Sequence, residues 1–216
     1  MYAQRIMNSD LPCVRPDDSA GKVLSLMDEY KVRHLPLVNG EDFRGLVYEE
    51  DLMEADEQAP MATLDARQVA TAPNCHLYDL VAQWVDAEVD ALPVVDQGNY
   101  LGCVDASSIL RFLAQETHWA AKGAVLVLEI PERDLSISEI ARLVEGADTK
   151  VVACTTAHAP DSSNVEVTLK VQTEDVEKVI ATFQRFGYTI QSFLHAPKLE
   201  EEMRERYDAF MRYLKQ

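Results

Sequence analysis

The chain has 216 residues, which is enough for one large domain or two small ones. Its hydrophobic content of 47% and charged content of 26% are ordinary for a globular protein, and no run of about 18 apolar residues indicates a membrane span. The net charge of −17 is uneven, because residues 1–118 hold 21 acidic and 8 basic side chains, a balance of −13. A field of that sign repels phosphate backbones and argues against nucleic acid as a partner.

The cysteines and the first ten residues bear on the cellular compartment. The four cysteines lie far apart, with no metal-ligand spacing, so we expect reduced thiols and no metal site. They are Cys13, Cys75, Cys103 and Cys154. Met1–Asp10 lacks a basic start followed by an apolar core, so we expect a cytoplasmic protein.

An anionic ligand of the first half needs nearby cations to offset the negative charge of that half. This requirement narrows the search to a few arginines. The candidates are Arg5, Arg15, Arg33, Arg44 and Arg111.

Residues 14–52 recur in register at residues 71–109, with a constant offset of 57 positions. The offset maps Pro36 onto Pro93 and Gly45 onto Gly102. An ungapped match of this length indicates a tandem structural repeat.

Each copy predicts the element order β-α-β-β-α. An extended start marked by proline (Cys13–Pro16; Thr71–Pro73) precedes a helix with apolar residues at helical spacing. Two strands joined by a polar turn follow, and a second helix begins near Glu49 or Ala106. The predicted strands are Leu35–Val38 and Arg44–Tyr48 in copy one, and Leu92–Val95 and Leu101–Val104 in copy two.

This pattern resembles the CBS motif, and the tandem resembles a Bateman module. The resemblance rests on Val32–Val38 with Gly45–Leu52, and on Val89–Asp96 with Gly102–Ile109. We place repeat one at about 3–55 and repeat two at about 60–115, in a domain over residues 1–118. The resemblance implies a regulatory, non-catalytic protein with an adenosine ligand between the motifs: AMP, ADP, ATP, S-adenosylmethionine or a cyclic dinucleotide.

In CBS proteins that bind ligands, a Gly-h-h-Ser/Thr-x-x-Asp segment supplies the polar contacts. The Asp accepts hydrogen bonds from the ribose hydroxyls, while the Ser or Thr and the basic residues before the Leu-Pro strand contact phosphate. The resemblance places Asp51 at the ribose position and Tyr48 at the Ser/Thr position. The remaining residues of the predicted ligand-binding set are Arg33, His34, Arg15 and Val14.

Copy two departs further from the motif. Asp105 occupies the Ser/Thr position, Ser108 occupies the ribose position, and Asp90-Ala91 replace the basic pair. A carboxylate at the phosphate position repels a nucleotide. We therefore place one nucleotide in the copy-one cleft and treat Thr71, Asp105 and Ser108 as an eroded second cleft.

The candidate residues also have purely structural interpretations. In the first turn of a helix, the Asp51 carboxylate is favoured by the helix dipole by about 0.3–1 kcal/mol without any ligand. Asp105 is a good N-cap with Ser108 at N3. Arg33 could pair with a surface acid, and His34 could be a structural histidine. On this alternative the module is a ligand-free dimeric interaction scaffold.

Residues 123–196 alternate strands and helices after a short linker, Ala120–Gly123. The predicted strands are Ala124–Ile130, Thr149–Thr156, Val165–Val171 and Tyr188–Leu194, with Pro160 in the loop between the middle two. Ser136 and Thr173 are the predicted caps of two helices, which end at Gly146 and Gly187. The order β-α-β-β-α-β is that of a ferredoxin-like fold, so the fold class is α+β.

This order after a CBS pair resembles an ACT domain, and the layout is similar to AcuB-type CBS/ACT regulatory proteins. ACT domains that bind amino acids have a glycine in the loop after the first strand, which Pro131–Ser136 lacks. We therefore favour a dimerising or relay role for this ACT-like domain and keep amino-acid sensing as an alternative. Residues 197–216 predict a C-terminal helix whose apolar stripe needs cover from the domain or from a second subunit.

No catalytic constellation is evident, because the histidines are scattered and no nucleophile, metal or phosphate-loop motif occurs. We predict that the protein is not an enzyme and has no catalytic residues. The expected partners are a second copy of the chain, a small adenosine ligand and an unidentified protein, with no nucleic acid and no membrane.

Overall fold

The computed structural model describes residues 1–158, 162–173 and 175–195. The chain divides into two compact units, Met1–Leu113 and Ala114–Gln216. The predicted C-terminal helix over 197–216 lies outside the described residues, as does Pro160. Across the described ranges, no helix combines the length and the apolar character that a bilayer crossing demands.

Both copies of the repeat contain the two strands and two helices that the sequence predicts. The helices are α1 (Ala3–Ile6), α2 (Ala20–Tyr30), α3 (Glu49–Met53), α4 (Leu77–Ala87) and α5 (Ala106–Glu116). The strands are β1 (His34–Asn39), β2 (Asp42–Tyr48), β3 (Ala91–Asp96) and β4 (Asn99–Asp105). They form one antiparallel sheet in the order β1-β2-β4-β3.

The two hairpins of this sheet have the same register. His34 pairs with Tyr48 in the first hairpin, and Ala91 pairs with Asp105 in the second. These pairs are related by the repeat offset, so the start of each second helix occupies an equivalent place in its hairpin.

The predicted strand at the start of each copy is shorter than expected. Val14 forms a single parallel bridge to Leu37, and Thr71 forms the equivalent bridge to Val94. A proline follows two residues later in each copy. Since proline has no backbone N–H to donate, the ladder does not extend past it.

Two hydrophobic cores flank this sheet, and β2 contributes to both. Successive side chains of a strand point to opposite faces, so Val47 lies in the first core while Leu46 and Tyr48 lie in the second. The first core contains Val14, Ala20, Val23, Met27, Leu35, Leu37, Val47, Leu52 and Met61. The second contains Ala3, Ile6, Leu46, Tyr48, Leu77, Leu80, Val89, Leu92, Val94, Val104, Ile109 and Phe112.

The second unit has the ferredoxin-like order that the sequence predicts. Its elements are β5 (Ala124–Pro131), α6 (Ile137–Glu145), β6 (Val151–His158), β7 (Asn164–Val171), α7 (Val176–Arg185) and β8 (Thr189–His195). The strands form an antiparallel sheet in the order β6-β7-β5-β8. Alternate residues of β5 and β7 are buried, and Ile140 of α6 and Phe183 of α7 belong to the same core.

The helix caps of this unit agree with the sequence in one case and differ in the other. Ser136 caps α6, where its hydroxyl accepts the Glu139 N–H at 3.3 Å. The prediction that Thr173 caps α7 was wrong, because the N-cap is Asp175. The Thr173 hydroxyl instead accepts the N–H of Asp175, the N-cap itself, at 3.0 Å.

Candidate functional site

The start of α3 carries the acidic residues of the candidate site. Tyr48 ends β2 and is the N-cap of α3, but its side chain makes no capping hydrogen bond. Glu49, Glu50 and Asp51 form the first turn, where the helix dipole favours negative charge. The Tyr48 side chain makes no hydrogen bond to this turn. The Asp51 carboxylate instead accepts hydrogen bonds from a neighbouring segment of the chain.

That neighbouring segment is the linker between the copies, residues 61–69, which crosses β2 at Gly45. Leu46 and Arg67 exchange backbone hydrogen bonds of 2.8 and 3.0 Å. A Cβ on Gly45 would lie 2.7 Å from the Cβ of Ala66, and the φ of Gly45 is +138°. Only glycine permits this approach, and the crossing places Arg67 over the start of α3.

Arg67 joins the acidic turn to the Tyr48 ring. Its Nη2 donates to Oε1 of Glu50 at 2.7 Å and to the two oxygens of Asp51 at 3.0 and 3.2 Å. The guanidinium carbon lies 3.8 Å from the centroid of the Tyr48 ring, within the range of a cation–π interaction. The hydrogen bond to Glu50 raises the pKa of Arg67, and burial raises the pKa of Tyr48. The arginines that the sequence singled out do not include Arg67.

A second contact joins the two copies at the same place. Asp90 of copy two accepts the Arg33 N–H at 2.6 Å and lies 3.0 Å from Nδ1 of His34. The Asp90 backbone N–H also points to this nitrogen, 3.3 Å from its own nitrogen atom, so the carboxylate contact needs a proton on Nδ1 and the backbone contact needs Nδ1 without one. The His34 ring packs edge-on against Tyr48 with centroids 4.4 Å apart. Contacts therefore run from Asp90 through His34 and Tyr48 to Arg67.

Three cavities follow the linker. The inter-repeat cavity, of about 410 Å³, is lined by Arg33, His34, Tyr48, Glu49, Glu50, Met53, Arg67, Ala87 and Glu88. The Asp51 cavity, of about 400 Å³, is lined by Val47, Asp51, Leu64, Asp65, Ala66 and Arg67. The linker cavity, of about 380 Å³, is lined by Pro16, Leu37, Asn39, Arg44, Met61, Ala62, Leu64, Asp65, Ala66 and Gln68. Neighbouring cavities share lining residues, so the Asp51 cavity lies between the inter-repeat cavity, where two arginines face three glutamates, and the linker cavity, where apolar and polar side chains are mixed.

The equivalent turn of copy two is closed by its own helix cap. The Asp105 carboxylate accepts the Ser108 N–H at 2.7 Å, and the Ser108 hydroxyl accepts the Asp105 N–H at 3.1 Å. Asn8, which crosses β4 at Gly102 as the linker crosses β2, donates to Asp105 at 3.1 Å. Burial by itself raises the pKa of the Asp105 carboxyl. The hydrogen bonds outweigh this effect and hold the pKa below its usual range. Asp105 and Ser108 therefore cap the start of α5, as their structural interpretation predicted.

The remaining predicted residues lie away from the three cavities. Val14 is buried, and its backbone bonds to Pro36 and Val38. The Arg15 N–H donates to Asp18 at 2.9 Å. The hydroxyl of Thr71 is buried without a hydrogen-bond partner among the described residues. The structure thus brings Arg33, His34, Tyr48 and Asp51 together, and it leaves Val14, Arg15 and Thr71 apart from them.

Comparison with a family model identifies the first copy. Residues 3–58 match the model described as CBS domain. The match covers the first repeat, in agreement with the resemblance of its motif, and the second helix of this repeat carries the Asp51 turn.

Solved structures show similarity to the chain over about half its length. A CBS domain pair/ACT domain protein from Thermotoga maritima is 20% identical, with 54% of this chain and 98% of that chain covered and a TM-score of 0.48. A Vibrio cholerae protein assigned to acetoin utilization (AcuB) is 19% identical, with 54% and 97% covered and a TM-score of 0.47. CBSX2 in complex with AMP is 22% identical, with 53% and 97% covered and a TM-score of 0.47.

Proposed function

We propose that the protein is a regulatory, non-catalytic sensor that binds one adenosine nucleotide in the cleft of its first repeat. The observation that carries the proposal is the position of Asp51. The resemblance to the CBS motif assigns this carboxylate to the ribose, and the cavity that it lines lies between the linker cavity and the inter-repeat cavity, which holds Arg33 and Arg67.

The order of the three cavities suits the three parts of a nucleotide. The linker cavity offers apolar walls from Leu37, Met61 and Leu64 to a base. Asp51 offers acceptors to the two ribose hydroxyls. Arg33 and Arg67 offer positive charge to phosphate in the inter-repeat cavity. The orientation of the ligand is thus base toward the linker and phosphate toward copy two.

The contacts around the inter-repeat cavity suggest how binding is signalled. Copy two contributes Glu88 to this cavity and Asp90 to the adjoining contact with His34. A ligand that binds one arrangement of the two copies better than another shifts the population toward that arrangement. On our proposal the ACT-like second unit passes this shift to a protein partner.

We further propose that the protein acts as a homodimer. Helix α4 carries Tyr78, Val81 and Val85 at spacings that place them on one side, and these side chains are 76%, 37% and 62% exposed. A stripe of this kind favours burial against another surface. The expected result of light scattering is a dimer that Val85→Glu weakens, and a wild-type monomer at micromolar concentration would contradict this part of the proposal.

The experiment is a thermal-shift and calorimetry panel of adenosine ligands on the full chain. A ligand at 100 times its Kd adds about 2.7 kcal/mol to stability. At about 2–4 °C per kcal/mol for a chain of this size, that is a shift of several degrees. The absence of a shift with every ligand at millimolar concentration would overturn the sensor proposal.

A matched pair of variants locates the site. Asp51→Asn removes the charge that the ribose requires, and we expect affinity to fall roughly tenfold to a hundredfold, or about 1.5–3 kcal/mol. Asp28→Asn is the control, because Asp28 is an exposed carboxylate on α2 that pairs with Lys31. Equal losses in both variants, or none in Asp51→Asn, would place the ligand elsewhere.

One observation favours a ligand-free scaffold as the second candidate. Both oxygens of Asp51 already accept from Arg67, so the turn is satisfied without a ligand. On this alternative the full ligand panel leaves the melting temperature unchanged while the dimer persists.

A further inference from the structure

Arg67 is fixed on two sides and still has donors to offer. Within the described residues, the hydrogen bonds from Arg67 to Glu50 and Asp51 all use Nη2. The Tyr48 ring lies against the flat face of the guanidinium at 3.8 Å. The side chain is 44% exposed and lines both the inter-repeat cavity and the Asp51 cavity. The other donors of the planar fork, on Nη1 and Nε, are therefore in reach of a ligand.

The Arg67–Asp51 pair sets a condition on any ligand that uses Asp51. A ribose must share or displace the hydrogen bonds that Nη2 makes to both carboxylate oxygens. A nucleoside weakens this ion pair and offers no anionic group with which the guanidinium could pair instead. A nucleotide brings a phosphate next to the ribose, and this phosphate gives Arg67 a new anionic partner as Asp51 turns to the sugar.

We propose that Arg67 is the specificity-determining residue that makes this cleft select adenosine ligands with a phosphate over adenosine itself. This inference rests on the proposed function. It also separates the candidate ligands, because S-adenosylmethionine has no phosphate with which to replace Asp51 as the anionic partner of Arg67. The ligand class is thus nucleoside phosphates.

Arg33 lines the same cavity but lacks these features. Its backbone N–H donates to Asp90, whereas its guanidinium is not held in any ion pair given for the described residues. A guanidinium fixed by an aromatic ring and two carboxylates loses less conformational freedom when it binds a ligand. Selectivity therefore depends on Arg67 more than on Arg33.

The test is calorimetry on the full chain with AMP, adenosine and S-adenosylmethionine as probes. We expect the wild type to bind AMP at least about tenfold more tightly than either of the others. In Arg67→Ala, AMP affinity falls by about tenfold or more while adenosine affinity stays equal or rises, because Asp51 is released. A structural defect of the cleft would weaken both ligands, so a loss of AMP affinity without a loss of adenosine affinity is not expected from it.

Three further measurements complete the design. Arg133→Ala, which removes an exposed arginine of the second unit, is the control and keeps the wild-type preference. Arg67→Lys keeps the charge but not the planar fork, and it retains part of the preference. If circular dichroism shows that Arg67→Ala is unfolded, Arg67→Gln replaces it, with the same loss expected.

The outcomes separate this inference from the function on which it rests. If AMP binds but the ratio of AMP to adenosine affinity is unchanged in the folded Arg67 variant, the inference is overturned and the proposed function stands. If adenosine or S-adenosylmethionine binds the wild type as tightly as AMP, the inference is likewise overturned and the proposed function stands, whereas the failure of every ligand of the full adenosine panel overturns both.

Discussion

The two clefts of the first unit share a backbone but use their polar side chains differently. In copy two, Asp105 at the N-cap and Ser108 at N3 satisfy each other. In copy one, Tyr48 at the N-cap makes no such bond, and the acidic residue at N3, Asp51, pairs with Arg67 from the linker. Two exchanges, at the N-cap and at N3, thus decide whether the N3 side chain bonds within its own helix turn or faces a cleft.

The largest expected effect tests the feature that both clefts share, the close crossing over glycine. A Cβ on Gly45 would lie 2.7 Å from Ala66, and one on Gly102 would lie 2.6 Å from the Asn8 carbonyl oxygen. We expect Gly45→Ala and Gly102→Ala to cost about 3 kcal/mol or more in urea denaturation, from overlap added to strain at positive φ.

Gly98→Ala is the matched control for this prediction. Gly98 has a φ of +89°, but a Cβ there would meet nothing within 4 Å. The strain of the positive φ alone is expected to cost about 1 kcal/mol. Equal costs at Gly98 and Gly45 would show that the crossing is less tight than described.

The next effect sharpens the contrast between the two clefts. Ser108→Ala removes one half of the cap in copy two, and we expect a loss of about 1 kcal/mol in the free energy of unfolding. AMP affinity should stay within about twofold of wild type, because no ligand uses this turn. Asp51→Asn should show the reverse pattern, with weakened binding and a loss of stability of only about 0.5 kcal/mol from the helix dipole and the exposed pair with Arg67. If Ser108→Ala weakens binding as much as Asp51→Asn does, the second cleft is also a site.

The smallest effect is the dependence of the copy-two cap on pH. The pKa of Asp105 is lowered in the folded chain, so the carboxylate contributes stability above its unfolded pKa of about 3.9. That contribution is lost as pH falls through the lower folded pKa. We expect Asp105→Asn to be less stable than wild type by about 0.5 kcal/mol at pH 7, and the gap to shrink toward pH 3. A gap of the same size at pH 3 would mean that the charge is not responsible.

Much of the fold could be predicted because it depends on local patterns. The repeat with its offset of 57 residues predicts the two hairpins. Gly45 and Gly102 recur at this offset because another segment of the chain crosses closely over each of them. The Asp105 cap was predictable from its spacing to Ser108, and the structure confirms it.

The candidate site was harder to predict because it depends on tertiary contacts. Arg67 lies in the linker, outside the recurring segments 14–52 and 71–109, and only its backbone pairing with Leu46 brings it over Asp51. Asp90 was interpreted as the loss of a basic residue, whereas it bonds His34 of copy one. The repeat offers a signal for this contact, because Arg33 and Asp90 occupy equivalent positions and such positions meet near a pseudo-twofold axis.

The central claim is that one cleft of the two binds a nucleotide, and the stoichiometry of AMP binding tests it most directly. Isothermal titration of the full chain should give one AMP per chain, with binding weakened by Asp51→Asn and unaffected by Ser108→Ala. Two AMP molecules per chain, or a single one that Asp51→Asn does not weaken, would contradict the account.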